Sequence, residues 1–158
     1  MSAPAAAPTV RVGILGSSWW ADSMYLPALA QHPSGRVTAI AGRTAAALAD
    51  RWQVPHTFAR YEELIHSGLV DAVIVATRND QHCPLTLAAL DQGLHVLCEK
   101  PLALTYADAA RMAARAAETG AICMTPFTYR YMPVNRYLKR LLDDGYIGRP
   151  FHLNFRYF

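Results

Sequence analysis

Two short polar segments carry the side chains best suited to chemistry in this sequence. Each comes directly after an apolar, strand-like run, the first after residues 71–77 and the second after residues 95–98. Parallel strands end at a common edge of a sheet, where open α/β sheets bind their ligands, so these side chains are expected to converge. The candidates are Thr77, Asn79, His82, Glu99 and Lys100.

This set of residues offers proton transfer beside a bound cofactor. A lysine next to an acidic residue can hold or transfer the proton of an alcohol or carbonyl while a hydride moves to or from a nicotinamide ring. Lys100 is therefore the candidate catalytic residue. The alternative is that Glu99 and Lys100 form an ordinary surface ion pair, which contributes little even to stability.

A glycine turn after the first apolar run, residues 9–15, offers a place for a pyrophosphate. At a strand-to-helix turn, backbone N–H groups and the positive end of the helix face an anion. Ser18 replaces the second glycine of the dinucleotide fingerprint and Ala21 takes its third position, so the turn alone is weak evidence. A glycine turn that merely connects strand to helix is the alternative. Its candidate cofactor contacts are Gly13, Gly16, Ser17, Ser18 and Trp19.

The segment after the second strand bears on the choice of cofactor. NAD-binding domains often place a carboxylate here for the ribose 2′-hydroxyl, whereas this chain has Gly42, Arg43 and Thr44. The Arg43 guanidinium can pair bidentately with a 2′-phosphate, and Thr44 can add a hydrogen bond, so NADP is favoured and NAD stays possible. The alternative is a solvated arginine at the start of a helix.

The pattern of apolar runs indicates the elements that would position these residues. Strands alternate with helices of about ten residues, which predicts an α/β protein with a doubly wound parallel sheet, the Rossmann fold. Thr44 and Thr105 are the expected caps of their helices. Strands are predicted over 9–15, 37–41, 57–58, 71–77, 95–98 and 121–125, and helices over 20–31, 44–52, 61–66, 84–92 and 105–119.

The pattern changes after residue 127. An amphipathic helix is predicted over 133–144, and residues 151–158 alternate large apolar and polar side chains, as in a strand of an antiparallel sheet with one buried face. We therefore expect a flexible tail over 1–8, a dinucleotide-binding domain over 9–127, and over 128–158 a connecting helix and the first strand of a truncated antiparallel α/β domain.

Composition excludes several classes of function. With 53% hydrophobic residues and a net charge of +3, the chain is typical of a globular protein without a nucleic-acid footprint. No apolar stretch has the length of a membrane span, and no export signal precedes the first strand. The three cysteines and scattered histidines show no metal-ligand spacing, so we expect no metal site, and a reducing cytoplasm is the simplest location.

Taken together, these motifs resemble the Gfo/Idh/MocA family of oxidoreductases, which includes glucose-fructose oxidoreductase and inositol dehydrogenase. The resemblance covers nearly all of residues 9–158, and its most specific part is the Glu-Lys-Pro segment with the strand before it. It is carried by Gly13-x-x-Gly16, by Thr77-x-Asn79-x-x-His82 after its strand, by Glu99-Lys100-Pro101, and by Tyr129-Arg130-Tyr131.

This resemblance implies a two-domain, NAD(P)-dependent enzyme that acts on a sugar, polyol or related small molecule and is a homo-oligomer at full length. Lys100 would lie near the nicotinamide and Glu99 near its ribose, with Asn79 and His82 along the cofactor pocket. Tyr129 and Arg130 would border the substrate. Further catalytic residues would belong to a substrate domain outside this chain, so we expect the 158 residues alone to be inactive.

A second class of function uses the same fold without catalysis. A nucleotide-binding regulatory or interaction module remains an alternative, because a fold alone never establishes a reaction. The intact Glu99-Lys100-Pro101 segment argues against it, whereas Arg78, which stands where the family often has proline, is a departure from the family pattern.

Overall fold

A six-stranded parallel sheet organises residues 9–126. The structure, a computed structural model, describes residues 9–157, so the tail predicted over 1–8 lies outside the described residues. The strands are β1 (Val10–Leu15), β2 (Gly35–Ala41), β3 (His56–Phe58), β4 (Ala72–Val75), β5 (His95–Cys98) and β6 (Cys123–Met124). The helices are α1 (Leu26–Ala30), α2 (Ala45–Trp52), α3 (Tyr61–Ile65), α4 (Asn79–Asp91), α5 (Tyr106–Thr119) and α6 (Pro133–Asp143).

The strand order confirms the predicted doubly wound sheet. Neighbouring strands pair in the order β3-β2-β1-β4-β5-β6, and every pair is parallel. The chain turns from one side of the sheet to the other between β1 and β4. At such a switch point the two connections leave in opposite directions and open a crevice beyond the strand ends, where ligands bind.

Both faces of the sheet are covered, which explains why its strands are continuously apolar. In β1, Ile14 belongs to the apolar cluster on one side and Leu15 to the cluster on the other, because successive side chains point to opposite faces. Val73 and Val75 of β4 are fully buried. Met112 anchors α5 in the same cluster as Leu15.

The first predicted helix is confirmed as helical but contains a widened turn. Residues Ala21–Tyr25 form a π-helical turn, in which the N–H of Leu26 donates to the carbonyl of Ala21, five residues back. Pro27, in the first turn of α1, has no N–H to donate to the carbonyl of Ser23, and its ring would crowd that carbonyl in a regular α-helix. A widened turn relieves both problems.

One predicted helix start and one predicted capping bond are wrong. The helix expected from residue 84 begins at Asn79, because Pro84 lies in its interior and not in its first turn. Thr44 precedes α2, but its hydroxyl makes no capping bond and contacts Ser17 instead. Thr105 does cap α5, since its hydroxyl accepts a hydrogen bond from the N–H of Asp108 at 3.1 Å.

Residues Phe127–Phe158 form a separate compact unit. Within it, a 3-10 helix over Thr128–Tyr131 precedes α6, and large apolar side chains along α6 are exposed. The strand predicted over 151–158 is wrong for its described part, since residues 151–157 form no strand. Extended backbone becomes a strand only when a neighbour supplies the hydrogen-bond ladder, and no described residue does so here.

Candidate functional site

A continuous crevice runs along the carboxyl ends of the parallel strands. Two adjoining clefts, of about 500 and 260 Å³, share Ser18, Ala76 and Thr77 in their walls. The larger cleft is also lined by Gly16, Ser17, Arg43, Thr44, Tyr61, Arg78 and Gln81. The smaller cleft is also lined by Trp20, Asn79, His82, Glu99 and Lys100.

Two glycines allow the turns around the larger cleft to approach one another closely. Gly16 has φ +113°, and a Cβ at this position would lie 2.3 Å from the carbonyl oxygen of Ala76. Gly42 has φ +145°, and a Cβ there would lie 2.7 Å from Oγ of Ser17. Only glycine fits these positions, so the turns after β1, β2 and β4 pack closely together. The turn after β1 leads from a strand into a helix and lines the cleft, a position at which backbone N–H groups can meet a phosphate.

Thr44 ties the turn after β2 to the turn after β1. Its hydroxyl donates to the carbonyl of Ser17 at 2.8 Å, and its N–H donates to the Ser17 hydroxyl at 3.0 Å. A threonine hydroxyl has one proton to donate. The Thr44 side chain therefore holds the two turns together and has no proton left for a bound phosphate.

Arg43 is one of two arginines that line the larger cleft. Its side chain is exposed, and within residues 9–157 it makes no ion pair. The second arginine of this cleft, Arg78, is paired with Asp80 at 2.7 Å. The lining of the larger cleft contains no carboxylate. An anionic ligand would thus meet one uncommitted guanidinium here.

Glu99 is a buried carboxylate whose oxygens are occupied by three donors. Its residue is only 7% exposed. Oε1 accepts from the indole N–H of Trp20 and from the hydroxyl of Tyr25, each at 2.5 Å, and Oε2 accepts from the backbone N–H of Lys100 at 2.9 Å. A buried carboxylate needs such partners to offset its lost hydration. Glu99 is consequently fixed in one orientation.

Tyr25 stays a hydrogen-bond donor to this carboxylate. Burial raises the pKa of the Tyr25 hydroxyl well above its ordinary value, and the hydrogen bond to Glu99 raises it further. Both causes disfavour a second negative charge beside Glu99. The phenol is therefore protonated throughout the range in which proteins function.

Lys100 projects into the smaller cleft as an exposed cation. Among the described residues its ammonium has no hydrogen-bond or ion-pair partner, and its Nζ lies 5.9 Å from the centre of the Trp20 ring. The peptide bond from Lys100 to Pro101 is cis. The ammonium is thus available to a ligand in the cleft.

His82 joins the two polar segments that flank the smaller cleft. The residue is fully buried, with Nδ1 2.7 Å from the carbonyl oxygen of Pro101 and Nε2 3.2 Å from that of Thr77. One imidazole therefore links the loop after β4 to the loop after β5. Asn79, one helical turn earlier, is exposed at the mouth of the cleft.

Most of the site residues expected within residues 9–126 come together in this crevice, but Gly13 and Trp19 do not line it. Gly13 lies buried inside β1, where a Cβ would be 2.6 Å from Cδ2 of Leu64, so it serves packing against α3. Trp19 is 70% exposed and stacks at a tilt on Trp20. Tyr129 and Arg130 lie on the 3-10 helix of the other unit, where the Tyr129 and Tyr157 hydroxyls are 3.0 Å apart.

Sequence reasoning missed two residues that orient this site, Trp20 and Tyr25. They are five positions apart, which in a regular α-helix separates side chains by about 140° around the axis. The widened turn instead places both on Glu99 Oε1. Pro27 in the predicted helix was the available signal, because a proline disturbs the turn that precedes it.

Neither a metal site nor a membrane-spanning helix occurs in the described part of the chain. No group of three or more histidine, cysteine, aspartate or glutamate side chains between residues 9 and 157 is arranged to hold a metal ion. No helix there combines the length and apolarity needed to cross a bilayer.

Comparison with known proteins identifies relatives over most of the chain. A family model described as "Oxidoreductase family, NAD-binding Rossmann fold" (Gfo/Idh/MocA) matches residues 10–127. The 1,5-anhydro-D-fructose reductase of Ensifer adhaerens is 36% identical over 143 residues, covering 89% of this chain and 43% of the reductase. The inositol 2-dehydrogenase of Salmonella typhimurium is 34% identical over 157 residues, covering 95% of this chain and 46% of the dehydrogenase.

A solved structure is similar over a comparable share of the chain. The crystal structure of a 3-ketoreductase from Actinomadura kijaniata, in complex with TDP-benzene and NADP, superposes with a TM-score of 0.77 at 34% identity. The match covers 87% of this chain and 44% of the ketoreductase. The chain thus spans less than half the length of these relatives.

Proposed function

The chain belongs to the Gfo/Idh/MocA oxidoreductase family, and from that premise we propose that its crevice binds NADP for hydride exchange with a sugar, polyol or related hydroxyl compound. One observation carries the proposal. The crevice has an uncommitted guanidinium, Arg43, in one cleft and an uncommitted ammonium, Lys100, in the adjoining cleft. NADP needs a cation at its 2′-phosphate, and hydride transfer needs a proton carrier near its nicotinamide.

The larger cleft fits the adenosine half of NADP. Gly16 and Gly42 let the turns after β1, β2 and β4 pack closely, and the strand-to-helix turn after β1 lines the cleft, where such a turn accepts a pyrophosphate. Arg43 would hold the 2′-phosphate, because its planar fork of donors matches phosphate oxygens. An NAD site usually presents a carboxylate to the 2′-hydroxyl, and this cleft has none in its lining. The NADP bound to the Actinomadura kijaniata ketoreductase supports the same choice.

The smaller cleft fits the nicotinamide half and the reacting carbon. The cofactor, when bound, supplies the hydride or accepts it. The Lys100 ammonium would donate a proton to a carbonyl oxygen during reduction, and its amine would accept the hydroxyl proton during oxidation. Asn79 can orient a ligand through its amide, and His82 fixes the loops that carry Thr77 and Pro101.

Affinity for the two cofactors tests the role of Arg43. We expect calorimetry to show tighter binding of NADPH than of NADH. Arg43→Ala should weaken NADPH about 10- to 100-fold, as expected for loss of charged hydrogen bonds, and leave NADH unchanged. Arg36→Ala is the matched control. Arg36 is an exposed arginine near the start of β2, whereas Arg43 follows the end of that strand. Tighter binding of NADH by the unmodified protein would contradict the proposal.

Turnover tests the role of Lys100. The probes are 1,5-anhydro-D-fructose with NADPH and myo-inositol with NADP, chosen from the names of the two relatives. In the full-length protein, Lys100→Met should bind NADPH normally but lose at least about a hundredfold in kcat, because general acid-base catalysis contributes that much. Lys139→Met, on α6, is the control. Tight NADPH binding without turnover of any hydroxyl or carbonyl compound would favour the non-catalytic alternative.

A further inference from the structure

Glu99 and Lys100 are adjacent and oppositely charged, yet their side chains do not pair. Within the described residues neither forms an ion pair, and the only bond between them joins the backbone N–H of Lys100 to Oε2 of Glu99. A buried carboxylate next to a lysine would ordinarily attract the ammonium. Other groups therefore stabilise the Glu99 carboxylate and leave the Lys100 ammonium without a carboxylate partner.

Glu99 is satisfied by side chains from the widened turn. Trp20 and Tyr25 both donate to Oε1, at 2.5 Å each, and leave this buried oxygen no need for the ammonium. Because both donors are neutral, they hold the Glu99 carboxylate in place without a cationic partner. The carboxylate is thereby held away from Lys100.

Trp20 contacts both charges at once. Its indole N–H donates to Glu99, while its ring lies 5.9 Å from Nζ of Lys100, within the range of a cation–π interaction. Trp20 has this placement because the helix widens directly after it, over Ala21–Tyr25.

We infer that Trp20, assisted by Tyr25, is a positioning residue that separates Glu99 from Lys100 and keeps the lysine free to act. The inference rests on the proposed function, in which Lys100 carries the proton. It goes further in assigning a role to two aromatic residues outside the glycine turn and the Glu-Lys-Pro segment. Without them, Glu99 would take the ammonium as its partner.

The position of the ammonium can be measured without cofactor or substrate. The sequence has two lysines, Lys100 and Lys139, so reductive methylation with ¹³C-formaldehyde gives two lysine resonances, assigned with Lys139→Arg. Lys139, paired with Asp143 at 2.6 Å, is the internal reference. Because an indole ring shifts protons above its face upfield, the Lys100 methyl protons should resonate upfield of those of Lys139.

Two substitutions of Trp20 separate its ring from its N–H. Trp20→Leu should abolish the upfield shift, whereas Trp20→Phe, which keeps an aromatic ring and the Tyr25 donor, should retain most of it. Circular dichroism and the unchanged Lys139 resonance serve as the folding checks. A Lys100 resonance that coincides with Lys139 in the unmodified protein, or that ignores Trp20→Leu, would overturn the inference.

A rescue experiment tests whether Glu99 is the competing partner. The double variant Trp20→Phe/Tyr25→Phe removes both side-chain donors to Oε1 but keeps a ring at position 20, and should lose the upfield shift as Glu99 draws the ammonium away. Adding Glu99→Gln to this variant removes the charge and should restore the shift. Retention of the shift in the double variant, or no recovery with Glu99→Gln, would refute the separating role.

Kinetics connects the placement to function. In the full-length protein, with the NADPH-dependent reduction of 1,5-anhydro-D-fructose as probe, Trp20→Leu should lower kcat about tenfold, the effect of one cation–π contact, while the Kd of NADPH changes less than about threefold. Unmodified full-length protein that neither binds NADPH nor turns over would defeat the proposed function but leave the resonance test decisive. Normal kcat in Trp20→Leu together with a lost upfield shift would show that the placement of Lys100 has no catalytic consequence, and would overturn the inference.

Discussion

The Cys98 thiol is enclosed at the end of β5 and gives the protein a pH dependence at alkaline pH. Burial raises the pKa of Cys98 to about 11, because the thiolate would lose its hydration there. The folded state therefore resists a deprotonation that the unfolded chain undergoes near pH 9. We expect the contribution of Cys98 to the free energy of unfolding to be constant below about pH 8. Between pH 9 and 11 it should lower that free energy by up to about 2–3 kcal/mol.

Urea denaturation at each pH would measure this contribution as a difference between two proteins. Cys98→Ala should have a shallower alkaline slope than the unmodified chain, even though the loss of the side chain lowers its stability at all pH values. The remaining slope includes Cys83, Cys123 and Tyr25, for which burial also raises the pKa, and Tyr129, whose pKa is raised by its hydrogen bond to Tyr157. Equal slopes in the two proteins would show that the Cys98 thiol is not shielded.

The types of the site residues were predictable from the sequence, but the partners that they contact in the fold were not. Lys100, Glu99 and Asn79 were expected at the strand ends, and they line the smaller cleft. The contacts of Glu99 depend on Trp20, 79 positions earlier, and no local pattern specifies a contact across such a separation. That Glu99 lies near the ribose stays a prediction, and the three donors from the chain itself that hold its oxygens were not predicted.

The sequence predicted elements wherever one physical cause dominated. Continuous apolar runs located the strands, because a sheet covered on both faces has no polar side. Where two physical causes opposed each other, the observed boundaries of the elements differ from the predicted ones. Pro84 favoured a helix start by its fixed φ, but α4 begins at Asn79 and tolerates the proline inside. Residues 151–157 have the alternation of a strand and form none, because pairing is not a local property.

The starts of α2 and α5 allow the two roles of an N-terminal threonine to be separated. Thr105→Val should lower the free energy of unfolding by about 1 kcal/mol, the usual value of a cap, and leave NADPH affinity unchanged. Thr44→Val removes no cap but breaks the link to Ser17, so it should weaken NADPH binding through the loosened turns. Urea denaturation and calorimetry on both variants provide the comparison. Unchanged NADPH affinity in Thr44→Val would mean that the link does not shape the cleft.

The order of the strands in the sheet was harder to predict from the sequence than their parallel pairing. Alternating strands and helices predict parallel pairing and right-handed crossovers, and both limit the arrangements that the chain can adopt. They do not state that β4 pairs with β1 and not with β3. This pairing places the turns after β1 and β4 side by side, and Gly16 is required there because the carbonyl of Ala76 lies against it.

All residues that line the two clefts lie before the boundary at Pro126, and this predicts that the sheet is an autonomous binding unit. The fully buried side chains likewise belong to residues 9–126. A chain ended after Pro126 should therefore unfold cooperatively in urea and bind NADPH within about threefold of the 158-residue protein, since a domain of this size can bury a sufficient core. The apolar side chains exposed on residues 127–157 would be removed with the second unit, so the shortened chain should also aggregate less at high concentration. A shortened chain that fails to fold, or that binds NADPH much more weakly, would show that Phe127–Phe158 supplies contacts that the sheet requires.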